Sequence, residues 1–183
     1  MNNIVGVLFN NESEAREALK TLSAAPQING TTIYQISLVK RREGVLKLCD
    51  NFTSEYLTGN SAVKGGLIGG LIGVLTGPIG MLLGGASGAL LGKANEYSNK
   101  DDSAALIEQA AQKLEEGDIA LIILADETKE EVIDHALVKY NTVIVRYDAK
   151  VISKELEEAE KMQEEMARQA REALRAAEKK EKK

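Results

Sequence analysis

Residues 65–92 read GGLIGGLIGVLTGPIGMLLGGASGALLG, a stretch without a single charged side chain. Glycine recurs as Gly65, Gly66, Gly69, Gly70, Gly73 and Gly77, then as Gly80, Gly84, Gly85, Gly88 and Gly92, with Leu, Ile, Val and Met between. On a helix, spacing four sets Gly69, Gly73 and Gly77 on one face, and Gly80, Gly84, Gly88 and Gly92 likewise. Each glycine costs a helix about 1 kcal/mol relative to alanine. So many in one apolar segment imply a compensating gain, the close approach of a second backbone where side chains are missing. Gly77-Pro78 is a natural break. The segment therefore reads as a helical hairpin over residues 63–94, with arms at 63–76 and 79–94.

A single membrane span does not suit this hairpin. One span would separate residues 4–49 from 119–147, whose strands then could not share a sheet. Lys64 and Lys93 flank the segment at both ends, which favours keeping both ends on the cytoplasmic side. Each arm, at roughly 21–24 Å, is short of the ~30 Å hydrocarbon core. The hairpin is expected to enter lipid part-way or to be buried between subunits. Its apolar circumference is too large to be covered by two arms packed on each other.

The flanking sequence supplies a frame. Residues 4–9 are an apolar run suited to a buried strand, and Asn11 caps a helix carrying Ala15, Ala18, Leu19 and Leu22 that stops before Pro26. Residues 32–40 and 45–49 form a hairpin around Arg41-Arg42-Glu43-Gly44. Beyond the glycine segment, Asp101 or Asp102 caps a helix ended by Gly117. A buried strand follows at 119–125, a helix at 127–140 and a last strand at 142–147. With the glycine segment removed, the order is βαββαβ followed by an extra αβ. The expected fold is α+β, a ferredoxin-like antiparallel sheet with helices on one face. It forms one domain over residues 1–150, interrupted by a hairpin that contributes few framework contacts.

Residues 151–183 form a charged helix without Gly or Pro. Ile152, Leu156, Ala159, Met166, Ala170, Ala173 and Ala177 keep four-three spacing, a seam for a weak coiled coil or for a helix lying on another surface. Glutamates dominate its first half, and Arg168, Arg171, Arg175, Lys179, Lys180, Lys182 and Lys183 its second, an order that suits the helix dipole.

Composition and motif search remove several function classes. A net charge of −5 and the absence of Trp argue against nucleic acid as a partner, which needs a concentrated basic face and stacking platforms. The one cysteine, Cys49, cannot form an intrachain disulfide and suits a reducing compartment. It reads as a small buried residue. The first nine residues lack a basic stretch, and their apolar run is too short for a signal peptide. The expected location is the cytoplasm or the cytoplasmic face of a membrane. The segment around Lys93 imitates a phosphate loop but has Ser87 and Ala94 where glycine and a hydroxyl after the lysine are required. His135, the single histidine, reads as exposed on its helix and short of a metal ligand set, despite Glu131 and Asp134 nearby. Asp126 and Glu127 read as N-caps, and Lys40-Arg41-Arg42 as a solvated turn cluster. No catalytic, cofactor or metal site emerges, and an enzyme is not expected.

The repeat Gly-Gly-Leu-Ile-Gly-Gly-Leu-Ile-Gly at 65–73, set in this frame, resembles a family of bacterial proteins that carry a domain of unknown function and are often labelled membrane proteins. The resemblance covers roughly residues 4–147, leaves the tail outside and implies no activity. The expectation is a non-catalytic, self-associating protein whose glycine-zipper hairpin contacts its own copies or membrane lipid. The alternative is a soluble regulatory or small-ligand-binding module of ferredoxin-like type.

Overall fold

The computed structural model describes residues 2–57, 60–76 and 114–181. Their elements are β1 (Asn2–Phe9), α1 (Glu12–Ala24), β2 (Gln27–Ile28), β3 (Thr31–Arg42), β4 (Val45–Thr53), α2 (Asn60–Thr76), β5 (Ile119–Glu127), α3 (Glu131–Leu137), β6 (Val143–Asp148) and α4 (Ala149–Glu181). The chain is α+β, with a six-stranded sheet in which every pairing is antiparallel. The helix expected over residues 101–116 and the second arm at 79–94 lie outside the described residues, apart from residues 114–116, which are not helical.

Strand order is β2-β3-β5-β1-β6, with β4 also paired to β3. Two βαβ units thus interleave: β1-α1-β3 leaves a gap that β5 fills, and β5-α3-β6 carries the chain past β1 to the far edge. The expected arrangement, in which the β3–β4 hairpin forms part of the frame and an αβ unit trails it, differs from this. β4 lies at the edge and β5 inside. The reason is polarity. β5 reads IALIILADE and is buried along nearly its whole length, whereas β4 carries Lys47, Asp50 and Asn51, and exposed charges suit an edge strand.

A strand that is apolar on both faces needs a layer on each. Val5, Val7, Ile33, Ile36, Leu121, Ile123 and Ala125 meet Ala15, Ala18 and Leu22 of α1 and Ile133 and Leu137 of α3. On the other face, Ile4, Val39, Ala120, Ile122 and Leu124 meet Leu67, Ile68, Leu71 and Val74 of α2 and Ile152 and Leu156 of α4. Helices therefore cover both faces instead of one. The first arm of the glycine segment is part of the core, not a detachable insertion.

Local chemistry holds the frame in register. Asn11 caps α1, its side chain accepting from the Glu14 amide at 2.9 Å. Glu43 and Gly44 form the β3–β4 turn at φ 57° and 77°, the two positive angles of a two-residue hairpin turn. The turn is tied to the segment entering β5. The Glu116 carboxylate accepts from the Glu43 amide at 2.7 Å and the Gly44 amide at 3.1 Å. Arg41, read from sequence as solvated, is buried, and it donates to the Leu114 carbonyl at 2.7 Å. A planar fork with five donors can satisfy the carbonyls of a chain entering a sheet.

The Gly44 and Glu43 amides hold the Glu116 carboxyl below the usual carboxylate range. A lowered folded-state pKa contributes stability that is present above the unfolded value of about 4.3 and is lost as pH falls through the folded value. Glu116→Gln is therefore expected to be less stable than the native chain in urea at about pH 7, with the gap closing toward about pH 3. A gap of constant size across that range would show that the carboxylate charge is not what holds the turn.

Candidate functional site

The helix α2 has three faces with different fates. Leu67, Leu71 and Val74, joined by Ile68, point at the sheet and are buried. Fully burying such side chains is worth about 1.5–3 kcal/mol each, so the four together contribute on the order of 6–12 kcal/mol. That exceeds the roughly 5 kcal/mol of helix propensity lost at Gly65, Gly66, Gly69, Gly70 and Gly73, so tertiary burial is what makes this segment helical.

The second face meets α4. A Cβ on Gly70 would sit 2.7 Å from Leu156 Cδ2 and 3.0 Å from Glu160 Oε1. Gly70 thus leaves room for the side chains of Leu156 and Glu160 of α4, a side-chain contact and not the backbone approach expected of the ladder. The third face carries Gly66, Gly69 and Gly73. All three are exposed, and a Cβ on any of them would meet nothing within 4 Å among the described residues. The glycines of the first arm are therefore divided between an internal contact and an open stripe. The surroundings of Gly65, and Gly77, Pro78, Gly80, Gly84, Gly85, Gly88 and Gly92 altogether, lie outside the described residues. Among the described residues no helix is long and apolar enough to cross a membrane; α2, with 17 residues, spans about 25 Å.

The tail seam is partly absorbed by the same core. Ile152 and Leu156 are buried in it, and Ala159 and Met166 pack against it half-buried. Ala170 is exposed, and the side chains of Ala173 and Ala177 lie outside the described residues. The first half of the seam faces the sheet and α2 of its own chain, not a second tail.

Local pattern did not reveal the charged cluster at one end of the sheet. Glu127 is not a helix cap; it ends β5 with its side chain 1 % exposed, and α3 starts only at Glu131, without a side-chain cap. Arg146 of β6 reaches Glu127 Oε2 at 3.2 Å, Asp134 Oδ1 at 2.6 Å and the Glu130 carbonyl at 3.0 Å. Asn3 donates to Glu127 at 2.8 Å. Burial alone would lower the Arg146 guanidinium, but its hydrogen bonds to Glu127 and Asp134 outweigh that and hold it above its ordinary value. The available signal was an arginine inside the apolar run Val143–Tyr147. The arrangement ties β1, β5, β6 and α3 together, one guanidinium serving the carboxylates of Glu127 and Asp134.

His135 is exposed, as read, and Cys49 is half-buried. No group of three or more His, Cys, Asp or Glu among the described residues is placed to hold a metal ion. A groove of about 750 Å³ runs between α1 and α3, with Leu22, Ile33 and Ile133 among its walls and Lys129, Glu131 and His135 beside them.

Two stability tests follow from this geometry. Gly69→Ala is expected to raise unfolding stability by about 0.5–1 kcal/mol, since the added Cβ meets no described residue within 4 Å and alanine favours the helix. Gly70→Leu should lower it by about 1–3 kcal/mol through overpacking against Leu156. Equal effects in denaturant titrations would mean that the two faces are not distinct. Arg146→Met should cost about 3–5 kcal/mol by removing the cation that faces buried Glu127, and Arg146→Met with Glu127→Leu should recover much of the loss.

A family model described as Protein of unknown function (DUF1269) matches residues 62–169. The match takes in most of α2, then β5, α3, β6 and the first two-thirds of α4. The expected extent, 4–147 with the tail outside, is thereby corrected: the match begins later and includes much of the tail. No curated protein and no solved structure matches the chain.

Proposed function

The chain belongs to this family of unknown function, and we propose that it is a non-catalytic, self-associating protein whose copies meet on the outward glycine face of α2. One observation carries the reading: Gly66, Gly69 and Gly73 share an exposed face in a helix whose other faces are already occupied. Glycine at these positions weakens the helix by about 1 kcal/mol each, and a Cβ there would meet no described residue within 4 Å. A second backbone seated on the stripe would restore the balance through close packing and Cα–H contacts. The second glycine ladder of the sequence, Gly80 to Gly92, repeats the same spacing and lies outside the described residues, and a glycine-zipper hairpin remains the sequence expectation for it. On this reading β3-β5-β1-β6 with α1 and α3 is a ferredoxin-like frame, to which β4 is added, and the frame presents the hairpin. Membrane lipid is the competing occupant of the face.

A second reading is small-ligand binding. It is favoured by the groove between α1 and α3, where apolar Leu22, Ile33 and Ile133 lie beside polar Lys129 and His135, the mixture that ligand sites use.

Gly69→Leu with Gly73→Leu tests the first reading. Because a Cβ at either position meets no described residue within 4 Å, the variant should keep native secondary structure and cooperative unfolding. Its mass in light scattering should fall toward that of one chain. An unchanged mass with intact fold would overturn the self-association surface. A mass that changes only when detergent or vesicles are added would assign the face to lipid.

A further inference from the structure

The helix α4 extends past the sheet that supports it. It has 33 residues, about 50 Å at 1.5 Å per residue. Among the described residues, its packing against the core ends at Met166. Residues 167–172 and Arg175 are exposed.

Opposite the apolar seam runs a second, solvent-facing stripe: Glu157, Lys161, Glu164, Arg168, Arg171 and Arg175, all exposed and at alternating four-three spacing. A helix face keeps that spacing over many turns. The stripe is polarised. Its sheet-supported half also carries Glu158 and Glu160 beside it, whereas the overhanging half presents three arginines. Arg168 pairs with Glu165 of its own helix at 2.7 Å, which leaves further donors of its fork available.

We infer that the overhang of α4 docks on the acidic half of α4 in a second copy of this chain, the two helices antiparallel about an axis at Met166. In that register Glu157 of each copy faces Arg175 of the other, and Glu164 faces Arg168. Lys161 faces Arg171, an unfavourable pair that the neighbouring Glu158 and Glu165 offset. A parallel neighbour in register would set like charge against like along the whole stripe, so the charge pattern selects the antiparallel one. The inference rests on the self-association reading. Exposed ion pairs contribute little singly, and they act here because a contact elsewhere has already brought the copies together. The helices α2 and α4 lie side by side on the same face of the sheet, so a copy seated on the glycine stripe lies within reach of α4. The pairs fix the orientation of one copy on the other.

The test is a double-mutant cycle on the full chain with Glu157→Arg, Arg175→Glu and the two combined, the self-association constant being read by sedimentation. Eighteen residues separate the two sites in one helix, about 27 Å, so any coupling between them is between copies. Each single variant is expected to weaken association about three- to tenfold at low salt and much less at high salt. The combined variant should return to within about twofold of the native chain. Singles without effect, or a combined variant as weak as the sum of both, would overturn the inference. So would single variants that leave association unchanged but alter binding to vesicles containing anionic lipid, which would assign the arginines to a membrane surface. Failure here with a positive result for Gly69→Leu with Gly73→Leu removes only the α4 contact. The reverse pattern removes the glycine face and leaves α4 pairing standing.

Discussion

The burial of α2 against the sheet is the contact on which the rest of the architecture depends. β5 is apolar on both faces, and a sheet centred on such a strand is stable only when a layer covers each side. Two short helices cover one side. The other is covered by a helix in which glycine alternates with pairs of aliphatic residues, and by the first half of the tail helix beside it. Remove α2, and Ile122, Leu124 and Val39 lose their cover. Remove Gly70 from the α2–α4 contact, and Leu156 must shift from its place in the same core.

This arrangement gives the glycine repeat two roles, at positions that sequence spacing alone makes equivalent. Gly70 belongs to the monomer: its missing side chain is filled by α4. Gly69 and Gly73, one residue before and three after, look outward. The family match runs from α2 through most of α4, so the segment that closes the sheet and the helix that packs on it fall within one matched unit. That coupling links the fold to the proposed function, because the elements that complete the core also carry the open glycine stripe and the charged overhang.

Much of the framework was legible along the chain. Alternation and apolar runs located β1, β3, β5 and β6, and Asn11 announced α1. What local pattern could not carry was pairing across long sequence separations. The run Ile119–Ala125 has no alternation, which already required cover on both faces, yet nothing near it says that it slots between β1 and β3. Glu127 looked like a cap because an acidic residue before an apolar helix usually is one. Its true partner, Arg146, is brought to it only by the third dimension. Arg41 was misread for the same reason, since the carbonyl it serves belongs to Leu114. Of the tail seam, Ile152, Leu156, Ala159 and Met166 pack on the core of their own chain, a partner that the spacing did not name.

Amide hydrogen exchange over residues 67–74, recorded at the lowest protein concentration at which the chain is monomeric, tests the central claim most directly. If α2 is part of the core, its amides open only with global unfolding, and their protection matches that of Ile119–Glu127 in β5. Rapid exchange in α2 while β5 stays protected would mean that the glycine helix is a detachable insertion and that the sheet is closed without it.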